Sequence, residues 1–179
     1  MSSTIIYTFD KNGVAHHFAD VKNAWRGAMA VWMELEKRHL PPYRTGYSRM
    51  AAMFCDEKAV NEIWNLADRE DIPLHERIVL YTTFDNCLVK VEDIPNVIAA
   101  FRKFGANTSL PEQADLLENL PNGTIAVGWN QTSVSGEDWS NFGGYDEEND
   151  VGIPYNCLTM DKHWWLFDEL EERSDGDHS

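Results

Sequence analysis

The sequence of 179 residues predicts an α+β fold, in which antiparallel hairpins form a small sheet packed by about four to five helices in a single compact domain. Three observations predict it. Runs of β-branched and aromatic residues come in pairs around turn residues, without regular βαβ alternation. Between them lie stretches whose apolar residues recur every three or four positions, the period of a helix with one buried face. A composition 43% hydrophobic and 12% aromatic supplies a real core and excludes a wholly disordered chain. The length fits one domain over residues 1–173, with 174–179 as a frayed tail.

The elements follow in order. Ile5, Tyr7 and Phe9 alternate with polar positions, Asp10 to Gly13 reads as a turn, and Val14 to Phe18 returns, so the first element is a hairpin. Asp20 then reads as the cap of a long helix reaching Arg38, with Val21, Trp25, Ala28, Trp32 and Leu35 on one face. Gly27 falls inside that helix, and Pro41-Pro42 ends it. A second helix is expected from Asp56 to Arg69, and a short helical piece from Pro73 to Ile78. Val79–Phe84 and Leu88–Val91, flanking Asp85-Asn86, read as a second hairpin. Asp93 opens a helix with Ile94, Val97, Ile98, Phe101 and Phe104 as its stripe, and Gly105 suits the residue that closes it. Ser109-Leu-Pro-Glu112 fits a capping box for another helix, ended by Pro121-Asn-Gly123. Trp25, Trp32, Phe101 and Phe104 are expected in the core.

Residues 124–129 alternate as a half-buried strand. Residues 130–150, rich in Ser, Asn, Gly and acid, read as a long loop. A strand is expected over Ile153–Leu158. In Asp161–Leu170, Leu166 with Leu170 suits a helix and Trp165 with Phe167 suits a strand. Asp161 as a cap tips the expectation to helix.

Charge divides the chain. Residues 1–110 carry 13 Lys/Arg against 14 Asp/Glu, whereas residues 111–179 carry 2 against 16. The near-neutral part thus runs from 1 to 110 and the acidic part from 111 to 173. Acidic disordered tails are poor in aromatics, yet this part holds Trp129, Trp139, Phe142, Tyr145, Tyr155, Trp164, Trp165 and Phe167. It therefore reads as folded, presenting a one-signed field that repels nucleic acid and anionic membrane and attracts basic protein surfaces. The best basic segment, Arg38 to Arg49 with Tyr43 and Tyr47, is short in a protein of net charge −15, so direct nucleic-acid binding is not expected.

No pattern of established chemistry is present. His16 and His17 point to opposite sides of a strand and cannot chelate one ion together. Cys55, Cys87 and Cys157 are an odd, widely spaced set without CxxC, which reads as reduced, inert thiols. Asp146-Glu-Glu-Asn-Asp150 resembles a calcium loop only in its acids, because Val151 stands where the sharp-turn glycine belongs. There is no HExxH, GxSxG, Walker loop or GxGxxG. No catalytic residue, metal or cofactor is expected. The N-terminus lacks a signal-peptide pattern, and no apolar run approaches the ~18–20 residues that span a bilayer, so the expected location is the cytoplasm.

The expected function is a non-catalytic acidic protein-binding module. Asp138, Asp146, Glu147, Glu148 and Asp150 would meet the partner, with Trp164 and Trp165 as anchors. The partner is a basic protein surface, such as that of a nuclease or another nucleic-acid-binding protein. By composition alone, the chain is similar to the small acidic inhibitors and nucleic-acid mimics of phages and mobile elements. The alternative is a small metal-independent enzyme or ligand-binding domain with a tryptophan-lined pocket.

Overall fold

The structure, a computed structural model, describes residues 3–22, 27–44, 48–52, 56–105, 108–131 and 138–176. Strands β1 (Ser3–Phe9) and β2 (Ala15–Lys22) form the expected first hairpin. Asp10 builds its turn, with Oδ1 accepting the amides of Asn12 (2.8 Å) and Val14 (3.1 Å). β2 is longer than expected because it absorbs an irregularity at Phe18. Tyr7 faces His17, Ile6 faces Ala19, and pairing resumes through Asp20 opposite Ile5. Asp20 is thus a strand residue and caps no helix. Helix α1 (Ala28–His39) starts later, with Gly27 at its N-terminal boundary, where glycine is better tolerated than in a helix interior. Trp25 lies outside the described residues, while Trp32 and Leu35 are buried.

Helices α2 (Arg49–Ala52) and α3 (Glu57–Trp64) follow, and a 3₁₀ turn over Asn65–Asp68 completes the expected second helix. Helix α4 (Leu74–Tyr81) overturns the second hairpin. Val79–Tyr81 continue the helix begun after Pro73, and the Thr82 and Thr83 hydroxyls donate back to the carbonyls of Val79 (2.8 Å) and Leu80 (2.6 Å). Asn86, at φ 62°, turns the chain into strand β3 (Cys87–Lys90). The partners of β3 come from far along the sequence: strand β4 (Ala126–Gln131), antiparallel, and strand β7 (Trp164–Trp165), parallel.

Helix α5 (Ile94–Phe104) ends at Gly105, whose φ of 63° is the positive value glycine accepts freely. Helix α6 (Leu110–Leu117) lacks the expected capping box. Ser109 is buried, and its Oγ accepts Gln113 Nε2 (2.9 Å), while Gln113 Oε1 accepts the indole N–H of Trp129 (3.1 Å). Tertiary bonding takes precedence there over a local cap. Helix α7 (Leu166–Gly176) runs into the expected tail, and within it Glu169 and Arg173 pair one turn apart (2.6 Å).

The result is an α+β domain with a five-stranded mixed sheet, ordered β2-β1-β4-β3-β7. Strand alternation assigns the two faces. Ile6, Cys87, Val89, Val127 and Trp129 belong to the larger core cluster with residues from α1 and α3–α7, including the buried Trp32, Phe101 and Phe104. Tyr7, Phe9, Leu88 and Ala126 face the other way, onto Trp139, Tyr155 and Cys157. The segment from 138 to 163 thus covers the second face. That covering makes β4 buried along its whole length, in place of the expected half-burial. Gly128 permits it, because a side chain there would meet Leu88 and the Trp139 ring.

Within this covering segment, strands β5 (Gly144–Asp146) and β6 (Val151–Ile153) form a small antiparallel hairpin. The expected loop over 130–150 therefore contains a strand and a buried tryptophan, and the expected strand over 153–158 ends at Ile153. Residues 132–137 lie outside the described residues.

Candidate functional site

The acidic site begins at Trp139, which is fully buried. Its ring packs edge-on against Phe9 (5.5 Å), Phe142 (5.4 Å) and Tyr155 (5.1 Å), and its N–H donates to the Trp129 carbonyl (3.1 Å). Phe142 stacks on Tyr155 at 5.0 Å and leads directly into the hairpin. Tyr155 N–H donates to the Trp139 carbonyl (2.9 Å), and Gly143 N–H to that of Ile153 (2.9 Å). The β5–β6 hairpin is thereby mounted on a rigid aromatic base.

Its connecting turn holds the acids. Asp146 Oδ1 accepts the amides of Glu148 (3.0 Å) and Asn149 (3.2 Å), and Oδ2 accepts Asn149 Nδ2 (2.7 Å). The Asn149 side-chain bond foremost, with these backbone donors, lowers its carboxyl below the usual range. Asp150, at φ 56°, accepts the Tyr145 hydroxyl and closes the turn. Glu147 and Glu148 are exposed. Large apolar side chains share the hairpin: Tyr145 is 57% exposed, Val151 51% and Ile153 39%.

The structure therefore brings Asp146, Glu147, Glu148 and Asp150 together. It treats Asp138 differently. That carboxylate is half-buried, accepting the Tyr7 hydroxyl (2.8 Å) and the amide (3.0 Å) and hydroxyl (2.5 Å) of Ser140. Burial opposes its ionisation, but the bonds from Ser140 and Tyr7 outweigh it and the carboxyl stays below its usual range. Asp138 anchors the start of the covering segment.

Trp164 and Trp165 lie on β7 and diverge to opposite faces of the sheet. Trp165 joins the aromatic base through His163 (4.8 Å), whose ring is 5.7 Å from Tyr155. Trp164 turns to the helical side, donating its indole N–H to the Asp85 carbonyl (2.9 Å) and lying edge-on to Tyr81 (5.5 Å). There it lines a cleft of about 480 Å³ with Trp64, Tyr81 and Phe84, together with Asp68, Asp85, Glu169 and Arg173.

Other candidate chemistry is quiet. His16 and His17 pair with different carboxylates, Asp10 (3.0 Å) and Asp20 (2.9 Å). Cys87 and Cys157 are buried thiols, and burial raises Cys87 well above its ordinary value and Cys157 to about 11. Cys55 lies outside the described residues. Among the described residues, no group of three or more His, Cys, Asp and Glu side chains is placed to hold a metal ion. Arg49 is buried between Glu36 (3.2 Å) and Glu62 (2.6 Å), Arg38 pairs with Glu34 (3.0 Å) and Glu76 (2.7 Å), and Arg44 lies 3.6 Å from Asp56, so all three arginines of the basic segment face carboxylates of the same chain. No helix among the described residues is long and apolar enough to cross a membrane.

Sequence reasoning missed Tyr145, Val151 and Ile153 as surface residues. Their signal was the Val-Gly-Ile alternation after a polar turn. It also missed the meeting of Trp64 and Tyr81 with Trp164, which no local pattern encodes. Comparison of the chain with known protein families, curated proteins and solved structures finds no match.

Proposed function

We propose that this protein is a non-catalytic, acidic protein-binding module that occupies a basic surface of a nucleic-acid-handling protein. One observation carries the reading. The β5–β6 hairpin presents Glu147, Glu148 and Asp150 beside the exposed Tyr145, Val151 and Ile153, on an aromatic base that fixes their positions. Carboxylates held on an ordered scaffold match a cationic groove that ordinarily receives phosphates, and their field accelerates encounter. The neighbouring apolar side chains supply what charge does not, a desolvated contact that slows dissociation. A ligand that neutralised the acids alone would leave those side chains in water.

The test is a salt titration of partner binding, with the partner first isolated from lysate of the native host. The wild type is compared with a variant carrying Asp146→Asn, Glu147→Gln, Glu148→Gln and Asp150→Asn. Asparagine at 146 keeps the Oδ1 that accepts the two turn amides and loses only the acceptor of Asn149 Nδ2, and asparagine at 150 tolerates positive φ, so the variant is expected to retain the hairpin, which its circular dichroism checks. The expected result is a slower association rate for the variant and an affinity that falls with salt for the wild type. An affinity indifferent both to salt and to the four changes refutes the reading.

A further inference from the structure

The cleft behind Trp164 already holds one cation. Arg173 reaches from α7 to pair with Asp68, a residue 105 positions earlier, and with Glu169 through Nε (2.7 Å) and Nη2 (2.6 Å). Its guanidinium carbon lies 6.0 Å from the centre of the Tyr81 ring. Burial opposes its charge, yet the Glu169 bond and the surrounding negative groups hold it more firmly protonated than an ordinary arginine. Tyr81 is itself flanked edge-on by Phe84 and Trp164, each at 5.5 Å. Trp64 stands 37% exposed at the same cleft, its ring 5.5 Å from buried Trp32. Helix geometry explains the pairing with Glu169, one turn away. It does not explain why the guanidinium, on a side chain 41% exposed, reaches over an aromatic wall to Asp68.

Aromatic faces attract cations, and paired carboxylates fit the planar donor fork of guanidinium better than a compact ammonium. Asp68 and Glu169 together frame the one guanidinium of Arg173 in this cleft. With a volume of about 480 Å³ it has room beyond that single internal group. We propose that this cleft binds an arginine side chain of the basic partner protein, with Arg173 as the internal group that the incoming guanidinium displaces. The inference rests on the proposed function, since it gives that partner's basic surface a specific anchor.

The test needs no partner. The probe is N-acetyl-arginine amide, titrated into the intact protein while the indole N–H signals of Trp64 and Trp164 are followed by NMR. Arg173 competes in the wild type, so Arg173→Ala is expected to tighten binding by about tenfold, as removal of an internal competitor does. Adding Asp68→Asn or Glu169→Gln to Arg173→Ala is expected to reverse the gain. N-acetyl-norleucine amide, of similar length but uncharged, is expected to leave both signals unmoved. Unchanged affinity in Arg173→Ala overturns the proposal, and so does equal binding of the neutral probe. Failure here with a salt-dependent hairpin leaves the proposed function standing. Success here with a salt-indifferent hairpin moves the partner contact to the cleft.

Discussion

Gly128→Ala tests whether the second face of the sheet is as tightly closed as the geometry requires. A Cβ at 128 would stand 2.7 Å from Leu88 Cδ2, 3.0 Å from Trp139 Nε1 and 3.2 Å from Trp139 Cε2. Leu88 is buried opposite Gly128 in the neighbouring strand and has little room to turn aside. Trp139 has less, because Phe9, Phe142 and Tyr155 pack around its ring and the Trp129 carbonyl holds its N–H. Overpacking of this kind costs roughly 1–3 kcal/mol. A ring pushed off its carbonyl adds about 1 kcal/mol for the lost hydrogen bond. Alanine returns about 0.5–1 kcal/mol through the lower entropy of the unfolded chain. The balance is a loss of about 1–3.5 kcal/mol, a large share of the 5–15 kcal/mol typical of a whole domain. Urea unfolding followed by circular dichroism measures it. Trp139→Phe removes the indole nitrogen the new methyl meets and leaves only the Leu88 contact, so Gly128→Ala is expected to cost less in that background. Positive coupling in the double-mutant cycle is the signature. A neutral or stabilising Gly128→Ala would falsify the close approach and with it the rigid base assigned to the hairpin.

Other consequences follow from single residues. Trp32→Ala removes a buried ring whose N–H donates to Thr83 Oγ1 (2.8 Å), and a loss of about 3–5 kcal/mol is expected; an unchanged thermal midpoint removes α1 from the core. Arg49→Ala leaves Glu36 without its buried counter-charge and is expected to cost about 3–5 kcal/mol in urea unfolding, a figure that a loss under about 1 kcal/mol contradicts. Burial lowers the pKa of His163 from its ordinary 6.5, and the Tyr155 hydroxyl bonds its Nδ1 (2.9 Å), so the folded protein prefers the neutral ring. The unfolded chain then binds more protons below pH 6.5, and stability falls as pH drops through the folded value. His163→Gln should reduce that fall between about pH 7 and pH 5, and stability curves parallel to wild type would contradict the assignment.

The first hairpin, α5 and the helical stripes were legible because their signals are local. Asp10 forms its own turn, Gly105 supplies its own positive φ, and Phe101 and Phe104 lie on one face whatever packs there. The errors arose where distant residues decided the outcome. Val79–Tyr81 have strand composition, yet they complete a helix started at Pro73, while Cys87–Lys90 find their ladder 36–40 residues downstream in β4 and beyond that in β7. Ser109 has the sequence of a cap but bonds Gln113, which serves the buried N–H of Trp129. β-branched composition reports what fits a pleated surface, and the partner strand still has to be supplied by the rest of the chain.

The residues Asp161–Leu170 show how far the candidate site could be read. Strand and helix periods both fit because both are present in succession: Trp164 and Trp165 pair with Cys87 and Leu88, and the helix begins at Leu166. A two-residue strand cannot reveal its period, so the divergence of the two indoles to opposite faces was invisible in the sequence. It separates what the sequence joined. Trp165 helps build the base beneath the acidic hairpin, whereas Trp164 walls the cleft on the helical side. Charge asymmetry marked the part of the chain that holds the exposed carboxylates of the β5–β6 turn, because carboxylates in that number must face solvent or cations wherever the backbone goes. It was silent about Asp68, which lies in the near-neutral part and yet meets Glu169 around Arg173. Net charge per segment is blind to such pairings, since the fold assembles a local field from residues of either part.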